Sequence, residues 1–281
     1  MASTRPPAVA GSFYPASAQA LSALLDDCFR TSPLGPRGIN RVNPAIIAGM
    51  VPHAGPIYSG PCAAHFYSSL EPSIQRIIVL GVNHRGRRAK AALSPWSHWR
   101  TPLGEVKVDD ELSSYLESAV KFLRRDDDAH LGEHSIEVQL PFLQRVLGDF
   151  EFVPISLSHL PIEECAELGA AVAEAFHRAT AENLKTVILA SSDLSHYLSP
   201  KQTELLDQIA IERVLAMDPA GLVATVEEKN ITMCGVLPTA VMLYAAKSAG
   251  ARRARLLKHC HSGDVAPMSE VVGYASVVVE R

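Results

Sequence analysis

The 281-residue sequence lacks several motifs that would identify a common enzyme class. It has neither a GxGxxG nor a GxxxxGKS/T pattern, which argues against dinucleotide-binding and P-loop proteins. It has no GxSxG pattern, which argues against a serine-hydrolase elbow. It also has no CxxC pair, and its five cysteines are widely spaced, so neither a zinc knuckle nor a disulfide framework is indicated. We expect the cysteines to be reduced thiols.

Long apolar runs and an excess of one charge are also absent. No apolar stretch reaches the ~20 residues that span a bilayer, and the N-terminal MASTRPPAVAGSFYP lacks the apolar core of a signal peptide. A formal charge of -4 and a pI near 6.3 give no general attraction for nucleic acid or an anionic membrane. The short basic cluster Arg85, Arg87, Arg88 and Lys90 is interpreted as a solvated loop. These features predict a cytoplasmic protein without nucleic-acid or membrane partners.

The apolar residues that are present form short runs typical of strands buried on both faces of a sheet. Five such runs occupy residues 45–51, 76–82, 150–157, 185–191 and 271–279. Segments with apolar residues at helical spacing separate them. This alternation predicts an α/β fold, as a single three-layer domain over residues 1–281 with a largely parallel central sheet flanked by helices.

Histidines follow three of the predicted strands. His53 ends AIIAGMVPH, His84 ends RIIVLGVNH, and His196 ends KTVILASSDLSH, which also contains Asp193. A single histidine at a strand end is more often a hydrogen-bonded structural residue. Three histidines that reach one rim of a parallel sheet favour a common site, because ligands of open α/β sheets bind at the carboxyl ends of the strands. We expect Tyr58, shortly after the first histidine, to line the same cleft.

Cys234 and the segment GEHSIEVQL offer further polar groups. Cys234 stands where a loop enters an apolar helix, so the helix dipole is expected to favour its thiolate as a nucleophile or metal ligand. His134 and Glu137 share a face of a predicted helix and can point into the cleft as substrate-binding groups. Glu133 and Glu137 can instead form a solvated helix face, with Glu133 near the positive end of the helix dipole. The residues alone leave these alternatives open.

Five separated segments together resemble the Memo family: VPHAGPIYSG, LGVNH, EHSIEVQLPFL, SSDLSHY and MCGVLPTAVMLYA. Their order matches the family, as do the N-terminal RPPAVAGSFYP and the closing GYASVVV, so the resemblance covers nearly the whole chain. The family is similar to the class III extradiol ring-cleavage dioxygenases, which use a non-haem iron(II) site. The resemblance therefore implies an α/β fold like that of those dioxygenases.

The resemblance also implies a metal site at His53, His84 and Cys234, beside an acid/base group, His196, that Asp193 orients. In the dioxygenases two histidines and one carboxylate hold the iron, whereas here the third position is a cysteine. A thiolate lowers the expected iron potential and raises the affinity for copper(I) or zinc. The expected cofactor is iron(II), with copper or zinc as alternatives. A shared fold alone does not imply that this protein catalyses ring cleavage.

Two functions follow from these patterns. The first is a metal-dependent redox enzyme or oxygenase in which His196 acts as the base. The second is a non-catalytic binding or scaffold protein that holds a peptide or small molecule in the same cleft; for it, the resemblance implies AMMECR1-type and radical SAM proteins as partners. A weaker third function is a cysteine-dependent hydrolase, which requires Cys234 and His196 within hydrogen-bonding distance.

Overall fold

The computed structural model of the protein describes residues 3–39, 42–86 and 89–281, so that Arg87 and Arg88 of the basic cluster lie outside the described residues. The helices of this part of the chain are α1 (Ala18–Asp26), α2 (Pro56–Tyr67), α3 (Asp110–Ala119), α4 (Asp128–Leu131), α5 (Gln139–Val146), α6 (Ile162–Ala181), α7 (Pro200–Leu215), α8 (Pro219–Glu228) and α9 (Val236–Ser248). The strands are β1 (Thr4–Arg5), β2 (Ile46–Val51), β3 (Arg76–Val82), β4 (Ala91–Leu93), β5 (His98–Thr101), β6 (Gly104–Val108), β7 (Leu123–Arg125), β8 (Glu151–Leu157), β9 (Thr186–Ser191), β10 (His196–Leu198), β11 (Arg253–His261) and β12 (Val271–Glu280).

These strands form one mixed sheet with a parallel centre. Its order is β1-β5-β6-β8-β3-β9-β2-β12-β10, while β11 pairs with β12, and β4 pairs with β7 and β8. Every neighbouring pair from β6 through β8, β3 and β9 to β2 is parallel, whereas β12 runs antiparallel to β2. The predicted α/β fold with a largely parallel central sheet is confirmed, and the five predicted strands are present as β2, β3, β8, β9 and β12.

Both faces of the central strands are covered. Ile78 and Leu80 of β3 pack into an apolar cluster with residues of α6 and α9. Ile77 and Val79 of the same strand pack into a second cluster with residues of α2 and α5. Successive side chains of a strand point to opposite faces, so a strand between two helical layers must be apolar throughout. This arrangement explains the continuous apolar runs of the sequence.

One predicted helix begins later than its apolar pattern suggests. The segment from Ser135 was predicted as helical, but α5 begins only at Gln139. The backbone N–H groups of His134 and Ser135 both donate to Glu133 Oε1, at 2.8 and 2.9 Å. These bonds hold a turn ahead of the helix, as acidic side chains commonly do.

The parallel register aligns the strand ends that carry the predicted site residues. Val51 at the end of β2 pairs with Ser191 at the end of β9, and β3 lies on the other side of β9. The loops that carry His53, His84 and Asp193 therefore leave the sheet at the same edge.

None of the helices in the described part of the chain has both the length and the apolar character needed to cross a membrane.

A buried ion pair attaches the start of the chain to the segment before α5. The Arg5 side chain is fully buried and donates from Nη1 to Glu137 at 2.6 Å. Its other nitrogens donate to the carbonyl oxygens of His130, at 2.9 and 2.7 Å, and of Glu133, at 2.7 Å. Because a buried charge is tolerated only when it is paired and hydrogen-bonded, these bonds make Arg5 a fixed part of the fold.

His130 lies beside this ion pair with its ring fully buried. Its Nε2 contacts the carbonyl oxygen of Ala92 at 3.0 Å, and since a carbonyl only accepts, Nε2 carries the hydrogen. Burial, followed by the charge of Arg5, lowers the pKa of His130 from 6.5 to about 3. His130 is therefore neutral in the folded protein over the whole physiological range.

This buried histidine predicts an acid-sensitive fold. The unfolded chain binds a proton at His130 below pH 6.5, whereas the folded chain does so only near pH 3. The free energy of unfolding should therefore fall as the pH drops from 6.5 towards 3, with His130 contributing up to about 1.4 kcal/mol per pH unit. Urea unfolding between pH 7 and 4 measures this slope. His130→Gln should reduce the slope of the free energy of unfolding against pH by the equivalent of about one bound proton. The exposed control His177→Gln should leave the slope unchanged. Equal slopes in wild type and His130→Gln would contradict the assignment.

Candidate metal centre

Three histidine rings meet at the carboxyl edge of the sheet. The ring centroids of His53 and His84 are 5.2 Å apart, and those of His53 and His134 are 5.4 Å apart. His84 and His134 stack at 4.7 Å with their planes 14° apart. One ring nitrogen of each histidine lies within 4.8 Å of the others. The structure thus brings His53 and His84 together and adds His134, which the sequence suggested as a substrate-binding residue.

Hydrogen bonds fix which nitrogen of His53 is free. Ser191 Oγ lies 2.7 Å from the Ser135 carbonyl oxygen, and because a carbonyl only accepts, the hydroxyl hydrogen lies in this bond. Ser191 Oγ must therefore accept a hydrogen from His53 Nδ1, 2.9 Å away. His53 Nε2 is left with an unprotonated lone pair. The His53 side chain is almost completely buried, so this orientation is held on all sides.

Gln139 extends this network into the core. Its Nε2 donates to the Pro52 carbonyl oxygen at 3.0 Å and to Ser191 Oγ at 2.8 Å. Its Oε1 accepts a hydrogen from the Tyr67 hydroxyl, which determines the orientation of the amide. Gln139 and Tyr67 are both fully buried. The tautomer of His53 is therefore fixed by residues that do not touch the centre itself.

Glu133 fixes the orientation of His84. Its Oε1 contacts His84 Nδ1 at 2.9 Å, and its Oε2 accepts the His84 backbone N–H at 2.9 Å. Burial alone would raise the pKa of Glu133, but its hydrogen bond with His84 and the nearby imidazoles hold the pKa far below its usual value. The ionised carboxylate therefore accepts the Nδ1 hydrogen, and Nε2 of His84 is left free. Such carboxylate–histidine pairs commonly orient metal-binding imidazoles.

The sequence did not identify Glu133, Ser191 and Gln139 as the residues that orient the imidazoles. The Glu133 side chain is only 3% exposed, so the alternative of a solvated helix face is wrong for this residue. Its position directly before His134 was the available signal. Gln139 and Ser191 gave a weaker signal, as polar residues beside apolar runs.

His134 forms the third side of the cluster. Phe13 packs on its ring with the centroids 4.5 Å apart. Burial is the largest cause that lowers its pKa, from 6.5 to about 4. Burial, followed by the charges of the other two rings, also lowers the pKa of His53 well below 6.5. Both imidazoles are thus neutral near pH 7, the form in which histidine binds metals.

Cys234 lies on the other side of His53. Its Sγ is 3.2 Å from His53 Nε2 and 3.7 Å from the Asp193 carbonyl oxygen. Burial, followed by the charge of Asp193, raises the pKa of this thiol far above its usual value. The predicted thiolate is therefore wrong for the metal-free protein, because burial outweighs the dipole of α9. A metal ion that displaced the thiol proton would meet two donor atoms already in place.

Asp193 and His196 are near each other but make different contacts from those predicted. Asp193 Oδ1 accepts the backbone N–H groups of His53 and Ala54, at 2.8 and 3.3 Å. The His196 ring instead donates from Nδ1 to the Thr232 carbonyl oxygen at 2.9 Å. Burial raises the pKa of Asp193 to about 6. Thr232 therefore orients His196, and Asp193 holds the loop that carries His53.

Glu137 and Tyr58 are placed differently from each other. The Glu137 carboxylate is completely buried. Besides Arg5, it accepts hydrogens from the Tyr14 hydroxyl and from the backbone of Ala8 and Val9. These bonds anchor the N-terminal segment and argue against the predicted contact with substrate. Tyr58 lies in the first turn of α2 and is 38% exposed.

Known proteins match this chain over nearly its whole length. The family described as Memo-like protein matches residues 5–278. A MEMO1 family protein of Methanopyrus kandleri is 43% identical over 286 residues, covering 99% of each chain. One of Ignicoccus hospitalis is 44% identical over 283 residues, covering 97% of each chain. One of Methanococcoides burtonii is 39% identical over 277 residues, covering 98% of this chain and all of its own.

The buried partners of the imidazoles should control metal affinity. Ser191→Ala removes the acceptor for His53 Nδ1, and Glu133→Gln removes the charge that holds His84. We expect each change to weaken zinc or cobalt binding about 10- to 100-fold, as loss of such partners does at other metal sites. Competition with a chromophoric chelator measures the affinity. Ser113→Ala, which alters an equally buried serine bonded to a carbonyl near the start of α3, is the matched control. Unchanged affinity in both site variants would contradict these roles.

Proposed function

The chain belongs to the Memo family, and from this premise we propose that it is a metal-dependent redox enzyme whose metal is held by His53, His84 and Cys234. The observation that carries the proposal is the cluster of imidazole nitrogens within 4.8 Å of one another. The Nε2 lone pairs of His53 and His84 are free because their Nδ1 hydrogens are bonded to Ser191 and Glu133.

The donor set fits a transition metal. Two neutral imidazoles and a cysteine suit iron(II), copper and zinc, whereas magnesium and calcium prefer oxygen ligands. Among the described residues, the close group of donor atoms consists of imidazole nitrogens, and Cys234 Sγ lies 3.2 Å from one of them. Because redox chemistry needs a metal that changes valence, iron(II) is our first choice and copper the second. Zinc would support binding only.

His134 provides an alternative third ligand. It belongs to the group of nitrogens within 4.8 Å, and Cys234 does not. Cys234, however, directly faces His53 Nε2 at 3.2 Å. The stacking of His134 on His84 would also suit a residue that contacts a ligand of the metal. We propose Cys234 as the third metal ligand and His134 as a residue that contacts the substrate. The cobalt experiment below distinguishes this assignment from one in which His134 is the ligand.

His196 is the proposed base. Its Nδ1 hydrogen is held by the Thr232 carbonyl oxygen, so the neutral ring has its lone pair on Nε2. The residue is half-buried and can receive a proton from a ligand in the cleft. A bound iron or copper ion would supply Lewis acidity and one-electron chemistry. The hydrolase hypothesis is not supported, since the histidine that contacts Cys234 is His53.

A non-catalytic binding protein is the second candidate. The observation that favours it is that, over the residues that the structure describes, the grouped donor atoms at this edge are imidazole nitrogens and include no carboxylate oxygen of the dioxygenase pattern. In that case the cleft would hold a small molecule or peptide around a static metal. AMMECR1-type and radical SAM proteins are the proposed partners in this alternative.

Cobalt(II) spectroscopy distinguishes the possible third ligands. The wild-type protein should bind cobalt(II) with a thiolate-to-metal charge-transfer band, because a thiolate ligand gives one and imidazole does not. Cys234→Ala should abolish the band and weaken binding by about 100-fold or more, beyond the loss expected for supporting residues alone. His53→Ala should remove binding. Buried Cys165→Ala should behave as wild type. A wild-type protein that binds cobalt(II) without the band, and needs His134 to do so, would replace Cys234 by His134.

Oxygen consumption tests the redox proposal. Protein loaded anaerobically with iron(II) is mixed with a panel of catechols and related diols, then exposed to oxygen. We expect uptake that depends on substrate, and His196→Gln should lower its rate about 10²- to 10⁴-fold without loss of iron, the usual effect of removing a general base. Exposed His159→Gln is the matched control. Binding of a diol without uptake in the wild type would favour the second candidate.

A further inference from the structure

The Arg85 side chain is held flat over the backbone of Gly132. A Cβ atom built on Gly132 would lie 2.7 Å from Cζ of Arg85, 2.8 Å from Nη1 and 2.9 Å from Nη2. Since the three distances are nearly equal, the guanidinium plane faces the glycine. The N–H groups, which lie in that plane, therefore point outward along its edge rather than into Gly132.

This position is beside the open side of the histidine cluster. Arg85 directly follows His84, and Gly132 comes two residues before His134. The side chains of His84 and His134 are 31% and 21% exposed, whereas His53 is almost fully buried, so the cluster opens on their side. The charge of Arg85 is among the causes that keep the pKa of His134 low, after burial. The guanidinium is thus within electrostatic reach of the opening.

No acidic side chain within residues 3–39, 42–86 and 89–281 pairs with Arg85. Glu133 directly follows Gly132, but its oxygens accept hydrogens from His84 and from the backbone of His134 and Ser135. Glu137 is bonded to Arg5. The carboxylates of Glu133 and Glu137 therefore already have partners.

We propose that Arg85 binds the carboxylate of the substrate, so that the ligand of this centre is an organic acid anion with a second oxygen group facing the metal. This inference rests on the proposed function, because a divalent ion on two neutral imidazoles and one thiolate leaves a net positive charge. Arg85 adds another. One carboxylate matches the geometry of a single guanidinium and balances its charge.

The backbone of Gly132 gives a way to test this position of Arg85. Its φ of -117° and ψ of 14° are open to residues other than glycine, so the backbone does not require glycine there. A side chain at this position would instead meet the guanidinium, the flexible end of Arg85. Gly132→Ala should therefore displace Arg85 from the opening while its charge and the backbone are retained.

The test compares two ligands on zinc-loaded protein by calorimetry, since zinc does not oxidise them. The probes are 3,4-dihydroxybenzoate and 3,4-dihydroxybenzamide, which share the metal-binding diol and differ in the charge of the second group. A propionate homologue, 3-(3,4-dihydroxyphenyl)propionate, varies the spacing. Wild type should bind at least one of the acids about tenfold more tightly than the amide, which is the effect of one charge-assisted contact on the dissociation constant. Arg85→Gln and Gly132→Ala should lose the preference, and Arg85→Lys should keep part of it. Lys90→Gln, which removes a nearby exposed cation that pairs with Glu164, should keep it.

Zinc content is measured first, so that two kinds of failure are distinct. Protein that takes up no zinc would contradict the metal site, and with it the proposed function. Zinc-loaded wild type that binds acids and amide equally, or binds none of them, would overturn the assignment to Arg85 and leave the metal site standing. A preference for the acids that survives in Arg85→Gln would overturn it as well.

Discussion

The parallel pairing of β2, β9 and β3 is the constraint on which the candidate centre depends. It makes three loops leave the sheet at one edge, although their residues are far apart in the chain. The contact between His53 and Ser191 joins residues separated by 138 positions. Because strands covered on both faces by apolar layers resist sliding, the spacing of these loops is fixed by the core rather than by the loops themselves.

Buried carboxylates give the centre its rigidity instead of its donor atoms. Glu133, Glu137 and Asp193 each accept backbone N–H groups near the cluster. An ionised carboxylate in the interior needs several donors to remain charged, and here the turning chain around the histidines supplies them. The loops are thereby held in place while the imidazoles stay neutral. The carboxylates thus orient the site, and the imidazoles are the groups proposed to bind the metal.

The sequence was sufficient for the fold and for the edge at which the polar residues gather. Continuous apolar runs predicted the central strands, and the alternation with helices predicted their parallel order, since both signals are local. The sequence could not show that His134 joins His53 and His84, nor that Thr232 holds His196, because these contacts connect distant segments. It also could not give the protonation of Cys234, which depends on burial. The start of α5 was predicted too early because hydrogen bonds to Glu133 outweighed the apolar periodicity.

The pairing of Arg5 with Glu137 has a consequence for the order of events during synthesis. The two residues are separated by 132 positions, so the arginine leaves the ribosome long before its carboxylate exists. Until Glu137 has been synthesised, Arg5 has no carboxylate with which to form a buried ion pair, and its guanidinium stays hydrated. Cys234 emerges later still, so the cluster and its neighbouring thiol come from segments far apart in the polypeptide. Contacts of such long range make folding slow. A metal ion held as proposed by His53, His84 and Cys234 would therefore meet its full set of donors only after Cys234 has been synthesised.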